Sequence, residues 1–360
     1  MGNDKLYDVI IVGGGAAGLF CSIFADKKID KLILENSKRV GTKILLSGGG
    51  RCNVTNINLD PMNDYVGDNL KVLPSIFHKL DNYDVINRFT ERGLPMHEEN
   101  YGKIFLDCEK SSKLVDLLVQ EAKTNNTEIL FEQGVVDVEK KEDLFIIRTQ
   151  DNEYLCKNIV FSSGGKNFPQ IGATGIARDI ANKLGIQTVE AYPCLSGVET
   201  TQDVSALSGS AVDVQAIVNY GKKIVFQNQG PMLFTHRGLS GPAVFDIGLF
   251  IGRELENNKL KDYELKIIFD IEKLNEKTIQ FFGLSPKDFE RKFEITGFRP
   301  WELAKATGGG IKLSELSPSL EAKKVPGLYF VGEACDITGR TGGYNLQWAW
   351  SSGYVVGKSL

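Results

Sequence analysis

The sequence predicts an α/β protein with a doubly wound, mostly parallel sheet and an inserted β-rich domain. The first observation is a buried strand, a glycine turn, a helix start and a second strand within the first 35 residues. The second is a change to short β-like segments after about residue 195. The third is a late strand, residues 328–331, followed by a glycine turn and a helix. We expect this late strand to return to the N-terminal domain.

The N-terminal segment carries the fingerprint of a dinucleotide-binding βαβ unit. Strand 7–12 precedes Gly13, Gly15 and Gly18, and the second strand ends at Glu35. The first glycine allows a tight turn, the second lets the backbone approach a pyrophosphate, and the third lets the helix pack on the strand. The helix N-terminus favours phosphate binding, and the acid can accept hydrogen bonds from ribose hydroxyls. A glycine turn in an ordinary α/β protein would not need this acid.

The middle of the chain is expected to extend this sheet. Residues 70–126 are predicted to be mostly helical and to end in an amphipathic helix from Ser111 to about Asn125. Three short segments with turns between them, 135–140, 143–149 and 153–161, indicate an antiparallel meander attached to the parallel sheet.

The pattern divides the chain into four consecutive parts. Residues 1–194 form the first part of the nucleotide domain, and 301–360 form its C-terminal part. Residues 195–270 form an inserted β-rich, substrate-side domain. Residues 271–300 form a short helical segment, with helical pieces expected around 276–282 and 286–293.

Composition excludes several classes of protein. The chain has 360 residues, 42% hydrophobic and 24% charged residues, and a net charge of −4, which gives no whole-chain attraction to nucleic acid. No apolar run approaches the length of a membrane span, no signal peptide is recognised, and a cytoplasmic location is expected. The six cysteines form no CxxC pair, and no Cys/His cluster has metal-ligand spacing. We therefore expect neither a redox-active dithiol nor a metal site.

The late glycine turn favours FAD over NAD as the dinucleotide. FAD is long, so a protein must contact its adenosine, its pyrophosphate and its isoalloxazine ring. Glu333 can bind ribityl hydroxyls, and the segment 342–346 begins a helix whose N-terminus can stabilise negative charge on the reduced ring. The alternative is a plain sheet strand followed by a surface helix. Only one GxGxxG unit is present, so NADH or NADPH would dock transiently as electron donor.

The motifs resemble those of the BaiN/YhiN-like flavoproteins, which are described as NAD(P)/FAD-dependent oxidoreductases. The segments that carry the resemblance are 41–56, 232–242 and 332–353. The resemblance spans nearly the whole chain and implies an FAD domain of the glutathione-reductase type with an inserted substrate-side domain. Family members usually carry a longer helical subdomain at the position of residues 271–300 of this chain. The lid that is expected to cover the substrate is therefore shorter in this chain.

The resemblance also implies a set of cofactor-binding residues. At the adenosine and pyrophosphate end these are Gly13, Gly15, Ala16, Ala17, Gly18, Glu35 and Asn36. Along the pyrophosphate toward the ring they are Lys43, Ser47, Gly48, Gly49, Gly50, Arg51, Cys52 and Asn53. Backbone contacts are expected from Val135, Ser163, Gly164 and Gly165. The ribityl and pyrimidine end corresponds to Gly332, Glu333, Gly343, Tyr344, Asn345 and Leu346.

Three residues are candidates for the chemistry itself. Arg51 could stabilise negative charge on a substrate oxygen, although pairing with the cofactor phosphates is its more ordinary role. Cys52 could face the flavin ring, or be a small packed residue. His236 is the best available acid or substrate anchor if its turn caps the flavin; otherwise it only satisfies the backbone of a tight loop.

The favoured function is an FAD-dependent oxidoreductase that exchanges a hydride with a small unsaturated or carbonyl-type substrate. One alternative is a flavin-dependent reductase that forms dihydrouridine in ribosomal RNA; it predicts a basic surface at the active-site mouth, to which Lys222, Lys223 and Arg237 could contribute. Another alternative is a flavin-binding module without turnover.

The family resemblance also covers amine oxidation, so it defines the cofactor better than the substrate. The sequence leaves the oligomeric state open.

Overall fold

The computed structural model describes residues 5–255, 257 and 259–360, which form two compact units. The first unit runs to Glu190 and resumes at Gly309, and the second comprises residues 191–308. The limits expected from the sequence follow residues 194 and 300. The second unit also includes residues 271–300, which the sequence analysis treats as a separate segment.

The secondary structure alternates strands and helices before and after the second unit. The strands are β1 (Leu6–Val12), β2 (Lys31–Leu34), β3 (Asn53–Asn56), β4 (Tyr65–Gly67), β5 (Met96–Glu99), β6 (Lys103–Leu106), β7 (Thr127–Leu130), β8 (Val135–Lys141), β9 (Leu144–Thr149), β10 (Glu153–Phe161), β11 (Thr188–Cys194), β12 (Val198–Thr200), β13 (Ala211–Tyr220), β14 (Lys223–Thr235), β15 (Gly238–Ser240), β16 (Tyr263–Phe269), β17 (Glu290–Phe298), β18 (Ala306–Ile311), β19 (Leu328–Phe330) and β20 (Ile337–Gly339). The helices are α1 (Ala16–Phe24), α2 (Thr42–Leu46), α3 (Leu73–Phe77), α4 (Asn82–Glu91), α5 (Ser111–Thr124), α6 (Ile176–Lys183), α7 (Pro242–Phe245), α8 (Ile247–Ile251), α9 (Glu276–Phe282) and α10 (Tyr344–Ser359).

The main sheet of the first unit has the strand order β7-β2-β1-β10-β9-β8, and β19 also pairs with β10. Strand β1 is an almost continuous apolar run because a parallel strand is covered on both faces. Val12 is paired with Leu34 on one side and with Phe161 on the other, and Phe161 is paired with Phe330. The five parallel strands β7, β2, β1, β10 and β19 therefore end at the same edge of the sheet. This arrangement confirms the predicted return of the late strand.

The predicted antiparallel meander is confirmed, whereas residues 70–126 contain strands as well as the predicted helices. Strands β8, β9 and β10 pair antiparallel in sequence order. Residues 70–126 contain α3, α4 and α5, but also the hairpin of β5 and β6, which pairs with β3 in a small three-stranded sheet. Strand β5 reads Met-His-Glu-Glu and lies at the edge of that sheet, so it has no apolar alternation to reveal it.

Helix α10 is packed closely against α1 through small residues. A Cβ atom on Gly353 would lie 2.4 Å from the Ala17 carbonyl oxygen, and one on Gly357 would lie 2.5 Å from that of Cys21. Trp348 and Trp350 of the same helix are fully buried, as expected for core packing. Of the helices that the structure describes, none has both the length and the apolar character required to cross a bilayer.

The second unit is built around a closed barrel with the strand order β12-β15-β14-β13-β16-β17. Its core is formed by residues of this unit alone. The predicted helical piece around 276–282 is helix α9. The piece expected around 286–293 is wrong, because residues 290–298 form strand β17. Inward-facing Phe293 and Ile295 alternate there with exposed charged residues, and the strand closes the barrel between β16 and β12.

Candidate functional site

The candidate site lies at the edge of the main sheet where the parallel strands end. The Gly13 N–H group donates to the Leu34 carbonyl (2.8 Å), and Ser162 Oγ donates to the Gly13 carbonyl (2.7 Å). These bonds join the turns that follow β1, β2 and β10. Strands β2 and β10 lie on opposite sides of β1, so the strand order reverses at this point, which is where open α/β sheets bind ligands.

The three glycines of the first turn have three different environments. Gly13 has φ +101°, a left-handed backbone that favours glycine. A Cβ on Gly18 would lie 2.2 Å from the Gly13 carbonyl oxygen, so helix α1 can pack here only without a side chain. Gly15 has an extended backbone, and its Cβ would meet only the Ser162 carbonyl oxygen, at 3.9 Å. The protein leaves open space beside Gly15, as a backbone that receives a pyrophosphate requires.

The acid at the end of β2 is held by backbone groups. Glu35 Oε2 accepts a hydrogen bond from the Gly14 N–H (2.8 Å), and Oε1 accepts from the N–H (2.8 Å) and hydroxyl (2.7 Å) of Ser37. A carboxylate oxygen can accept more than one bond, so Oε2 keeps capacity for a ribose hydroxyl. The neighbouring Asn36 donates to the Gly172 carbonyl (3.0 Å), so its side-chain amide braces a loop. Val135 begins β8 and pairs with Thr149.

The second glycine loop follows α2, and its three consecutive glycines have a left-handed backbone. Gly48, Gly49 and Gly50 have φ values of +56°, +69° and +92°. A Cβ on Gly49 would meet no other atom within 4 Å. Ser47 lies at the start of the loop, where its hydroxyl donates to the Ile44 carbonyl (2.8 Å). The loop is therefore held in a conformation that glycine adopts readily, with open space at its centre.

Arg51 is placed among acidic side chains at the end of this loop. Its guanidinium donates to both oxygens of Glu99 (2.5 and 3.3 Å), approaches Glu109 (3.5 Å), and lies 4.2 Å from the centre of the Phe105 ring. Hydrogen bonding to Glu99 raises the pKa of Arg51. A phosphate or a substrate oxygen would share this guanidinium with Glu99.

The same acidic side chains form the one potential metal-ligand group within the described residues. The ligand atoms of His97, Glu99 and Glu109 lie within 4.8 Å of one another. Arg51 contacts both glutamates, so their charge is already balanced by a cation of the protein. The cluster therefore gives no support for a metal.

Cys52 is fully buried and follows the loop with φ +65°. Burial raises the pKa of its thiol to about 12. The thiol is therefore protonated at neutral pH, which argues against a thiolate at this position.

Residues from both ends of the first unit meet beside the turn that follows β10. Lys43 Nζ lies 2.5 Å from Glu333 Oε2 and 2.6 Å from Asn167 Oδ1, and the Gly165 N–H donates to Glu333 (3.4 Å). Gly164 packs beside Lys43 and Glu333. Ser163 Oγ is buried with no hydrogen-bond partner among the described residues. An unsatisfied buried hydroxyl is what a bound ligand would satisfy.

The turn before α10 is also close to the second glycine loop. Gly343 has φ +103°, and a Cβ there would lie 2.3 Å from the Thr55 carbonyl oxygen. The Asn53 amide, oriented to satisfy its neighbours, accepts from the Gly343 N–H (3.1 Å) and donates to the Thr55 carbonyl (3.0 Å). Asn345 pairs through its side chain with both backbone groups of Gly339 (2.9 Å each). Asn345 lies in the first turn of α10, where backbone N–H groups lack intrahelical partners.

The remaining predicted residues lie at the start of α10, in the turn after β19 and at the start of α1. Tyr344 accepts a bond from Tyr65 Oη through its carbonyl (2.8 Å), and Leu346 is half-buried on α10. Gly332 has φ +59°, and its Cβ would lie 3.1 Å from that of Ala17. Ala16 begins α1. The first and last segments of the chain thus form adjoining turns.

Sequence reasoning missed three polar residues that hold these turns together. Asn167 contacts Lys43, Glu99 pairs with Arg51, and Asn56 donates to the carbonyls of Tyr101 (3.1 Å) and Gly342 (2.9 Å). Asn56 and Asn167 are fully buried. A polar residue close to a glycine motif is the signal that could have identified these two.

His236 belongs to the second unit, where it is exposed on the turn between β14 and β15. Thr235 Oγ1 donates to the Gly238 carbonyl (2.8 Å) and accepts from Arg299 Nη2 (2.9 Å), which fixes the turn. The role of His236 as an acid remains a prediction.

The fold and the turns at its sheet edge define an FAD-binding oxidoreductase with a Rossmann-like domain and a β-rich unit. The family model described as "HI0933-like protein Rossmann domain" matches residues 7–359, and the chain belongs to this family. Members of this family are FAD-dependent oxidoreductases.

Two curated relatives and one solved structure are similar over nearly their whole length. The ribosomal RNA dihydrouridine synthase of Escherichia coli (strain K12) is 31% identical over 397 residues, which covers 98% of each chain. The 3-dehydro-bile acid delta(4,6)-reductase of Clostridium scindens is 26% identical over 401 residues, covering 97% of this chain and 98% of the relative. The 3-ketosteroid-delta4-(5alpha)-dehydrogenase of Rhodococcus jostii RHA1 has a TM-score of 0.57 at 13% identity, covering 99% and 97% of the two chains, which supports the fold.

Proposed function

We propose that this protein reduces a ring double bond conjugated to a carbonyl group, and that its substrate is a uracil of ribosomal RNA. The observation that carries the proposal is the 31% identity to a ribosomal RNA dihydrouridine synthase over 98% of both chains. Identity to the bile-acid reductase is lower, at 26%. This choice differs from the small-molecule substrate favoured by the sequence alone.

The two relatives support a common reaction. Dihydrouridine forms when the uracil double bond next to a carbonyl is saturated, and a 3-dehydro-bile acid reductase saturates double bonds in a ring system that carries a 3-oxo group. In both reactions a hydride reaches one carbon, negative charge develops on the carbonyl oxygen, and a proton reaches the other carbon. The site must therefore hold a hydride carrier, stabilise an oxyanion and supply an acid.

The residues of the first unit fit an FAD cofactor. The open space beside Gly15 and the unsatisfied Ser163 hydroxyl would receive the phosphates, and Glu35 would accept a ribose hydroxyl. Glu333 would accept ribityl hydroxyls while its charge is balanced by Lys43. When bound, reduced FAD supplies the hydride, and NADH or NADPH is the proposed source of its electrons.

Two further groups complete the proposed chemistry. The N-terminus of α10 stabilises negative charge through its N–H groups and helix dipole. His236 donates the proton to carbon from an exposed turn that Arg299 and Thr235 hold in place.

The proposal is tested by incubating the purified protein with FAD, NADH or NADPH, and ribosomal RNA from a strain lacking the corresponding gene. We expect a mass increase of two hydrogens at a uridine, and anaerobic recovery of flavin absorbance when that RNA is added. His236→Ala should keep the flavin spectrum and slow this recovery by roughly 100-fold, a typical loss for a general acid. Reoxidation by a steroid acid that carries a ring double bond conjugated to a 3-oxo group, but not by RNA, would overturn the RNA assignment. Bound flavin that neither donor reduces would instead support the non-catalytic module.

A further inference from the structure

The turn between β5 and β6 presents an exposed aromatic ring on a strained backbone. Tyr101 is 72% exposed and has φ +66° and ψ +27°. A bulky residue is rare in this left-handed region, which glycine or asparagine adopts more easily. Packing of the ring does not explain why the chain places a tyrosine here, because most of the ring faces solvent. Strained residues of this kind cluster at sites of function.

The backbone of this turn is held from several sides. The Ile57 N–H donates to the Gly102 carbonyl (2.7 Å), and Asn56 Nδ2 donates to the Tyr101 carbonyl (3.1 Å). Gly102 has φ +72°, and a Cβ there would lie 2.5 Å from the side-chain amide of Asn58. The turn is therefore fixed through its main chain, and the Tyr101 side chain is left to make other contacts.

The position of Tyr101 connects it with the candidate site. The same Asn56 nitrogen that binds the Tyr101 carbonyl also donates to the Gly342 carbonyl (2.9 Å), two residues before helix α10 begins. Tyr344 Oη, in the first turn of α10, donates to the Asn58 carbonyl (3.2 Å). Tyr101 thus lies beside the helix N-terminus that we assign to the flavin end of the cofactor.

A cation accompanies the exposed ring. Lys103 Nζ lies 5.6 Å from the centre of the Tyr101 ring. An aromatic face with an adjacent ammonium group suits a nucleotide, because the base stacks on the ring and the cation attracts the phosphate. RNA is often recognised through unstacked bases that pack on aromatic side chains.

We propose that Tyr101 is a substrate-binding residue on which a nucleobase of single-stranded RNA stacks at the entrance to the site. The proposal rests on the proposed function and adds the contact that holds the RNA. Stacking does not depend on the phenol hydroxyl, so phenylalanine should replace tyrosine. Glycine should relieve the backbone strain and still lose the contact.

The test compares Tyr101→Ala, Tyr101→Phe and Tyr101→Gly with the full-length wild-type protein loaded with FAD. Tyr83→Ala is the matched control, because Tyr83 is a 56% exposed tyrosine on α4. Fluorescence anisotropy measures binding of a labelled uridine-rich single-stranded RNA, and flavin absorbance and melting temperature report cofactor content and folding. A separate measurement of dihydrouridine formation with ribosomal RNA tests the proposed function.

We expect Tyr101→Ala and Tyr101→Gly to weaken RNA binding roughly tenfold or more, the loss typical of one stacked base. Tyr101→Phe and Tyr83→Ala should bind like the wild type, and all variants should keep their flavin. Equal binding by Tyr101→Ala and Tyr83→Ala would overturn the inference, as would a wild-type protein that binds no RNA. A wild-type protein that binds the RNA through Tyr101 but forms no dihydrouridine would overturn the proposed function alone.

Discussion

At the scale of single residues, two glycines of the first turn are required by the fold, and the third leaves space for a ligand. Gly13 is required by its left-handed backbone, and Gly18 by the 2.2 Å approach of a carbonyl oxygen to its Cβ position. Gly15 is required by neither, since its backbone is extended and the space beside it is open. A side chain at Gly15 would therefore conflict only with something that binds there.

This difference gives the first prediction. Gly15→Ala should fold with an unchanged melting temperature but bind FAD roughly tenfold more weakly or worse, because its methyl group takes the space of the pyrophosphate. Gly18→Ala should lower the melting temperature, since α1 must move away from the strand. Thermal unfolding without FAD and titration with FAD measure both effects. An unfolded Gly15→Ala, or one with normal FAD affinity, would contradict the assignment of this turn.

Local sequence patterns predict the backbone of the first glycine turn, whereas they do not reveal pairs of residues that are distant in the sequence. The glycines could be predicted because their spacing alone determines the turn. The Arg51 pair with Glu99 could not, because 48 positions separate the two residues and only the β5–β6 hairpin brings them together. The burial of Cys52 likewise depends on tertiary packing that no local pattern records.

At the scale of elements, the β5–β6 hairpin links several charged groups beside the second glycine loop. His97 Nδ1 lies 2.9 Å from Asp107, its Nε2 lies 3.3 Å from Glu99, and Glu99 in turn binds Arg51. Hydrogen bonds to Asp107 and then to Glu99 raise the pKa of His97 above 6.5. Hydrogen bonding to Arg51 and then to His97 lowers the pKa of Glu99. Protonated His97 can therefore donate to both Asp107 and Glu99.

This network predicts how the stability of the protein changes with pH. The folded chain holds the His97 proton more tightly than the unfolded chain does, so folding is favoured by protonation. The stabilisation is fully present below pH 6.5 and is lost as the pH rises through the raised value. We expect the difference in unfolding free energy between wild type and His97→Gln to shrink from pH 5.5 to pH 9. Urea denaturation measures it, with His78→Gln, an exposed histidine after α3, as the control. A difference that grows with pH would show that the network is not ionic.

Elements were predicted well where burial imposes a period and poorly where it does not. The parallel strands β1 and β10 and the meander carry apolar residues in the expected places. Strand β17 does alternate, yet the polar composition of residues 271–300 favoured a helical interpretation. Residues 290–298 form a strand because they pair with β12 and β16, and this pairing is not visible in the local sequence.

At the scale of the whole molecule, the cofactor-binding assignments and the barrel belong to separate units. The predicted FAD residues lie before Glu190 or after Gly309, around a core that excludes the barrel. The barrel has its own core. The two ends of the first unit are already neighbours, because a Cβ on Gly309 would lie 2.2 Å from the Glu190 carbonyl oxygen.

The last prediction follows from this division of cores. A chain that joins Glu190 to Gly309 through a short glycine linker should fold and bind FAD, because the main sheet and the hydrophobic core of the first unit contain no residue of 191–308. It should lack dihydrouridine formation, since His236 is removed with the barrel. Flavin absorbance after gel filtration measures retention of the cofactor, and the full-length His236→Ala variant provides the comparison for turnover. A soluble, folded deletion variant that stays colourless with excess FAD, beside a yellow full-length protein, would show that the second unit supplies part of the cofactor site.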